Sequence, residues 1–122
     1  MLLGGIVVAA VLAAGAAGPA PVDVSARSFS IDEDRCVWIW RGDARLKTRD
    51  GVLRADAMEG YAAKLEQGGR TVCGPLQRIE AAGNLVLETP RAQLTGVSFA
   101  VYDVGTRYLD LSGGAFSVDE RD

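Results

Sequence analysis

The sequence predicts an all-β fold in which antiparallel strands stack in repeated units. Three observations lead to this prediction: an internal repeat, a two-residue alternation of apolar and polar side chains, and turn residues at regular intervals. Residues 42–61 align without a gap with residues 83–102. Such a repeat is typical of proteins in which each copy forms one structural unit and stacks on the next. The identical paired positions are Gly42/Gly83, Leu46/Leu87, Thr48/Thr89, Leu53/Leu94 and Tyr61/Tyr102.

Between the turns, apolar and polar side chains alternate as they do in strands with one dry face. The alternation is clearest in residues 44–47, 52–57, 78–81 and 109–111. Turn-forming residues separate the strands at positions 32–34, 49–51, 67–69, 89–91 and 103–105. Strands with this spacing occur in sandwiches, jelly rolls and solenoids, and the repeat favours a stacked arrangement among them.

The position of each residue relative to the repeat glycines predicts which side chains face the interior. In the two copies, the residues two and four positions away from the glycine share one side of the strand: Trp38, Trp40, Ala44 and Leu46, then Ile79, Ala81, Leu85 and Leu87. Leu109, Leu111 and Ala115 continue this column. Several expected interior positions are small, namely Ala44, Ala55, Ala57, Ala81, Gly96 and Ala115.

The N-terminal residues are apolar and uncharged. Residues 2–22 grade from Leu, Val and Ile into Ala, Gly and Pro, which is typical of a signal peptide. Their length is close to the roughly 20 residues that a transmembrane helix needs, so an uncleaved anchor is the alternative. We therefore expect a signal peptide or apolar segment over residues 1–21, one β domain over residues 22–118 and a charged tail over residues 119–122.

The two cysteines of the chain, Cys36 and Cys73, are candidates for a disulfide. In an exported chain this bond would stabilise the fold by about 3 to 4 kcal/mol, because it restricts the unfolded state. Cys73 lies in residues 64–77, which interrupt the repeat and would gain most from being tied to the first repeat unit. Two buried free thiols are the alternative.

The composition argues against catalysis, metal binding and nucleic-acid binding. The chain has no histidine, so a nucleophile would lack its usual base, and two cysteines alone cannot make a closed zinc site. It also has no P-loop and no G-x-S-x-G motif. The net charge of −3 is opposite in sign to the basic stripe that nucleic-acid binding normally requires. We expect no enzymatic activity, no cofactor and no metal.

The repeated pattern G-[ND]-x-x-L, turn, L-x-[AG]-[DV]-x-[MF]-x-x-Y resembles the OstA-like domain of periplasmic lipopolysaccharide-transport proteins of the LptA type. The resemblance covers residues 22–118, and the segment RIEAAGNL at residues 78–85 is its strongest part. It implies a twisted, slightly open β-jelly roll in the periplasm, whose interior accepts lipid acyl chains. It also implies that the end strands pair head to tail with like domains, forming a bridge that carries lipopolysaccharide to the outer membrane.

The small interior residues are consistent with a groove for acyl chains, since each buried methylene contributes about 0.8 kcal/mol. The predicted groove residues are Phe29, Trp38, Trp40, Leu46, Leu53, Ile79, Leu85, Leu87, Leu94, Leu109 and Leu111. The alternative is that the small residues permit tight packing of two sheet faces around an ordinary core. Trp38 and Trp40 would contact a ligand at the groove mouth in the first case and pack in the core in the second.

Two functions are compatible with these features. The first is a lipopolysaccharide-binding transport module that pairs with like domains through its end strands. The second is a membrane-anchored or structural adaptor that pairs in the same way without binding lipid itself. Unblocked end strands recruit other strands in both cases, because their backbone N–H and C=O groups are unpaired.

Overall fold

The computed structural model describes residues 22–120, and in this part of the chain every helix or strand element is a β-strand. The apolar segment expected over residues 1–21 lies outside the described residues. The strands are β1 (Asp23–Ser25), β2 (Ser28–Asp32), β3 (Val37–Lys47), β4 (Val52–Gln67), β5 (Arg70–Glu88), β6 (Ala92–Asp103), β7 (Tyr108–Ser112) and β8 (Ser117–Glu120). All pairings are antiparallel, which confirms the predicted all-β class. Within residues 22–120, no helix is long and apolar enough to cross a membrane.

The strands form one open sheet in the order β1–β3–β4–β5–β6–β7. Strand β2 also pairs with β3, so β1 and β2 lie end to end along what we call the first edge. Strands β7 and β8 pair with β6 in the same manner and form the last edge. Over the described residues the two edges do not pair with each other, so the sheet is not closed into a barrel. Strand β8 includes Asp119 and Glu120, which were expected to belong to a charged tail.

Both copies of the repeat begin with the same backbone distortion. Gly42 and Gly83 have φ angles of 86° and 88°, and the Asp43 and Asn84 that follow them have φ angles of 49° and 51°. Glycine adopts this left-handed conformation without steric cost, and Asp and Asn tolerate it better than most residues. The pairing register shifts at these points, so each G-[ND] pair forms a bulge.

The bulges divide the sheet into two halves whose apolar sides form a single core. Trp40 and Ile79 precede the bulges and Leu46 and Leu85 follow them, yet all four side chains are buried in one cluster. Because bulges bend the strands that contain them, the sheet is bent over itself along this line. The core therefore lies between the two halves, as it does between two packed sheets.

The turns after the two bulges are also equivalent. Thr48 N–H donates to the Gly51 carbonyl at 2.8 Å, and Thr89 N–H donates to the Ala92 carbonyl at 2.8 Å. Each threonine hydroxyl donates to the same carbonyl and accepts from the backbone N–H of that residue. These hydrogen bonds explain why threonine is identical in the two copies, since its hydroxyl satisfies the backbone groups of the turn.

Three of the small residues expected in the interior lie elsewhere. Ala57 pairs with the exposed Arg41 and is outside the core, whereas its neighbour Met58 is buried. Gly96 and Ala115 are exposed. For Ala57 and Gly96 the physical reason is the register shifts. Across them the buried side moves by one residue on β4, from Ala55 to Met58, and on β6, from Leu94 to Val97, whereas it keeps its parity on β3 and β5. Ala115 lies in the connection between β7 and β8, outside the strands.

Candidate functional site

The predicted groove residues lie together on the side of the sheet that carries the core, which we call the inner face. Five are buried in the core cluster: Trp40, Leu46, Leu53, Ile79 and Leu85. Five more are partly buried and pack against it: Trp38, Leu87, Leu94, Leu109 and Leu111. Phe29 is 51% exposed and lies outside the cluster, although it pairs with Trp40 across the first edge. The structure thus joins all the predicted positions in one apolar surface.

The centre of the inner face is filled by the protein's own side chains. Ala44 and Ala100 are fully inaccessible to solvent, and Leu46, Leu53 and Met58 are each 1% exposed. The small residues therefore bring the two halves of the sheet close together here. Over residues 22–120, the centre of the inner face is therefore an ordinary packed core and has no open groove.

Towards both edges the inner face becomes exposed. On the first edge, Ile31 pairs with Trp38 and is 48% exposed, like its neighbour Phe29. On the last edge, Val118 pairs with Leu94 and is 63% exposed. We call Phe29 and Ile31 the first margin, and Val118 with the exposed Phe116 just before β8 the last margin.

Three of these margin residues, Ile31, Phe116 and Val118, were not among the predicted site residues. The alternation of β2 and β8 could have shown which side Ile31 and Val118 occupy, whereas Phe116 lies just outside β8. It could not have shown that they stay exposed, because exposure depends on which strands lie at the edges of the sheet.

The first margin continues into an aromatic cluster. The ring centroids of Phe29 and Trp40 are 5.4 Å apart, and Trp38 lies 6.1 Å from each of them. The two pairs that include Trp38 are edge-to-face, which is a favourable arrangement of aromatic rings. The cluster leads from buried Trp40 to exposed Phe29, so the apolar surface is continuous from the core to the solvent.

A disulfide joins Cys36 and Cys73, the pair considered from the sequence, with Cα atoms 5.4 Å apart. Cys36 is buried in the turn before β3, whereas Cys73 is exposed on the long β4–β5 hairpin. The bond attaches the part of the chain that interrupts the repeat to the first repeat unit.

The opposite side of the sheet, the outer face, is polar and carries paired charges. Asp43 lies 3.1 Å from Arg45 and 3.5 Å from Arg54, and the hydrogen bond from Arg45 is the main cause of a lowered pKa of the Asp43 carboxyl. Asn84 donates to Asp56 at 2.9 Å. A depression of about 360 Å³ at the bulge line is lined by Asp43, Arg54, Asp56 and Asn84 together with Arg27. The cations here face carboxylates, which suits a solvated surface better than an anion site.

Further along the outer face, Tyr61 donates a hydrogen bond to Glu59 at 2.6 Å. This bond raises the pKa of Tyr61 to about 12, because ionising the hydroxyl would place two negative charges together. The Arg78 guanidinium lies 4.2 Å from the centre of the Tyr61 ring and is paired with Glu80 at 2.9 Å. Within residues 22–120, no group of three His, Cys, Asp or Glu side chains could hold a metal ion.

The sheet therefore has an apolar inner face and a polar outer face on which Arg45, Arg54 and Arg78 pair with carboxylates. Comparisons with protein-family models, with curated proteins and with solved structures find no match to this chain.

Proposed function

We propose that this chain is a periplasmic lipopolysaccharide-binding module that holds lipid A acyl chains against its inner face and passes them along a bridge of like domains. The observation that carries the proposal is the continuity of the inner face, which runs from the core to an exposed apolar margin at each edge. The resemblance of the repeated motifs to OstA-like domains supports the same function. In this proposal the bent, open sheet is a slightly open jelly roll.

Acyl chains match the chemistry of the margins. Phe29, Ile31, Phe116 and Val118 each leave about half or more of their surface in water in the isolated chain. Covering them with hydrocarbon is favourable by about 25 cal/mol for each Å² of apolar surface removed from water. Because this attraction has no directional requirement, a lipid tail can move along the face without breaking specific hydrogen bonds.

The free edges support head-to-tail assembly. The first edge pairs only with β3 and the last edge only with β6 over the described residues, so each has one side with unpaired backbone groups. Pairing the last edge of one copy with the first edge of the next would bring their margins together and extend the inner face. The two surfaces are different, so such contacts produce an open filament.

Export to an oxidising compartment is the expected setting for this function. The Cys36–Cys73 disulfide supports that setting, since disulfides persist in the periplasm and are rare in reducing compartments.

A second candidate function is an adaptor that pairs with like domains without binding lipid, either free or held by its N-terminal segment. The filled centre of the core favours it, because Leu46, Leu53 and Met58 leave almost no surface that a ligand could contact. Under the first proposal, acyl chains occupy the margins and the junctions between copies, whereas under the second these surfaces contact protein alone.

Site-specific photo-crosslinking distinguishes the two functions. A photoreactive amino acid is placed at Val118 or Leu111 on the inner face, and at Tyr108 on the outer side of the same edge as the matched control. The probe is purified lipopolysaccharide with a labelled core sugar. Adducts with the lipid at Val118 and Leu111 but not at Tyr108 are expected. Adducts with a second copy of the chain alone would establish the adaptor, and absence of lipid adducts at both inner positions would overturn lipid binding.

A further inference from the structure

The β4–β5 hairpin extends beyond the neighbouring strands and forms an arm, residues 62–76. Strand β3 pairs with β4 only as far as Tyr61, and β6 pairs with β5 only from Arg78 onwards. Beyond these points the two strands of the hairpin pair with each other. Gly68 and Gly69 both have positive φ and form the tight turn at its tip.

The arm does not continue straight out of the sheet. The register between β4 and β5 shifts twice at its base, on either side of Ala62. Strands β3 and β5 lie two positions apart in the sheet, which corresponds to about 9.5 Å, yet the Cα atoms of Cys36 and Cys73 are 5.4 Å apart. The disulfide therefore holds the arm across the end of β4 and towards the first edge.

The base of the arm covers the inner face. A Cβ atom placed on the buried Gly60 would lie 2.8 Å from Leu76 Cδ1 and 2.9 Å from Trp40 Cζ3, so Leu76 and the Trp40 ring meet above this glycine. Leu76 also packs against the core cluster. Cys36, in the turn before β3, is 1% exposed, so the disulfide attaches the arm to a buried part of the chain.

We propose that the arm is a disulfide-tethered lid over the tryptophan end of the inner face, the region around Trp38 and Trp40. With the disulfide formed, Leu76 covers Trp40. With the disulfide reduced, the described residues 22–120 hold the arm only at its base, so the arm opens and exposes both tryptophans to apolar ligands. The identity of that ligand as an acyl chain rests on the proposed function, whereas the lid itself does not.

The accessibility of the two sulfurs defines the opening reaction. One thiolate of a dithiol reductant attacks the exposed Cys73 sulfur and forms a mixed disulfide, and Cys36 leaves as a thiolate that takes up a proton. The second thiolate of the reductant then attacks the reductant sulfur that is bonded to Cys73. Cys73 leaves as a thiolate and also takes up a proton. The reductant ends as a disulfide, and the protein carries two thiols.

Tryptophan fluorescence tests the lid directly, because Trp38 and Trp40 are the only tryptophans in the chain. Acrylamide quenching is compared between the oxidised protein, the protein reduced with dithiothreitol and the Cys73→Ser variant, with far-UV circular dichroism on each sample. We expect the quenching constant to rise about twofold on opening, as for a local opening that leaves the rest of the fold intact. An unchanged constant in a reduced protein that keeps its strand signal would overturn the proposal.

Two alanine variants test the lid without reducing the disulfide, in case reduction unfolds the chain. Leu76→Ala removes the contact with Trp40 while the disulfide remains, and Leu65→Ala makes the same change near the tip, where the side chain is 40% exposed. In the oxidised proteins, quenching is expected to rise for Leu76→Ala and to stay unchanged for Leu65→Ala. Equal quenching in the two variants would overturn the lid.

The ligand is tested separately from the lid. Stearic acid with a nitroxide on the acyl chain is the probe, and it quenches tryptophan only on close approach. Stronger nitroxide quenching in the reduced protein than in the oxidised protein supports acyl binding beneath the arm. A rise with acrylamide but none with the labelled fatty acid would retain the lid and contradict its acyl ligand.

Discussion

At the scale of single residues, the backbone geometry of a few glycines determines where the strands bend. Gly96 has a φ of 82°, and a Cβ atom on it would lie 1.9 Å from the Ala115 carbonyl oxygen. This close approach places the chain between β7 and β8 against β6. The glycine is thus required by the contact as well as by its own conformation.

Gly96→Ala is expected to destabilise the fold by at least about 2 to 3 kcal/mol, because the methyl group meets a backbone oxygen and the residue is strained at positive φ. Urea unfolding measures the change. Gly105→Ala is the matched control, since the nearest atom to its Cβ is 3.5 Å away. Similar unfolding midpoints for the two variants would show that the approach of Ala115 does not constrain the sheet.

At the scale of elements, each repeat unit combines a bulge with a threonine turn. Thr48 and Thr89 make equivalent hydrogen bonds, although the two residues that follow each threonine differ completely, Arg-Asp in one turn and Pro-Arg in the other. The turn therefore depends on one side chain and tolerates variation in the positions that face the solvent.

Thr48→Val keeps the shape of the side chain and removes the hydroxyl that serves the Asp50 and Gly51 backbone. We expect a loss of about 1 kcal/mol in the free energy of unfolding, the usual net value of such hydrogen bonds. Thr48→Ser is the control, because it keeps the hydroxyl that makes these hydrogen bonds and removes only the methyl group. A cost for Thr48→Ser as large as that for Thr48→Val would contradict this account of the turn.

At the scale of the whole molecule, the open sheet has two edges with apolar margins, and over residues 22–120 one side of each edge has unpaired backbone groups. A long exposed edge is a site of association unless charge or proline blocks it. On the last edge, β8 combines an apolar residue with charged ones. Val118 faces inwards, and the charged Asp119 and Glu120 follow it in the same strand. This combination permits pairing but opposes a completely apolar contact.

Val118→Asp is expected to weaken self-association of the chain, since it places a carboxylate in the margin that pairing would bury. Sedimentation velocity over a range of protein concentrations measures the shift towards monomer. Tyr108→Asp adds the same charge to the same edge, at a side chain that is 68% exposed on the outer face, and should associate as the unmodified chain does. Equal association of Val118→Asp and the unmodified chain would exclude the last margin from the contact.

Much of the fold follows from local patterns in the chain. The alternation around Trp40, Leu46, Ile79 and Leu85 was sufficient to predict the apolar side, because side-chain direction in a strand depends only on the parity of the residue. The same rule placed Ala57 in the interior and was wrong there. On β4 the buried side passes from Ala55 to Met58, an odd step, where the strand lies opposite the two G-[ND] bulges of β3 and β5, and β4 itself has no glycine at this point.

The sequence by itself determined the antiparallel strands, the equivalent turns and the apolar side of each repeat unit, because these depend on residues close together in the chain. Only the tertiary structure decided which part of the apolar side is covered. Leu53 is buried at the centre and Val118 is exposed at an edge, although both are aliphatic residues on the same face. Only the tertiary structure also showed that Leu76, at the base of the arm, meets the Trp40 ring. Burial depends on neighbours that are distant in sequence, and no local pattern specifies them.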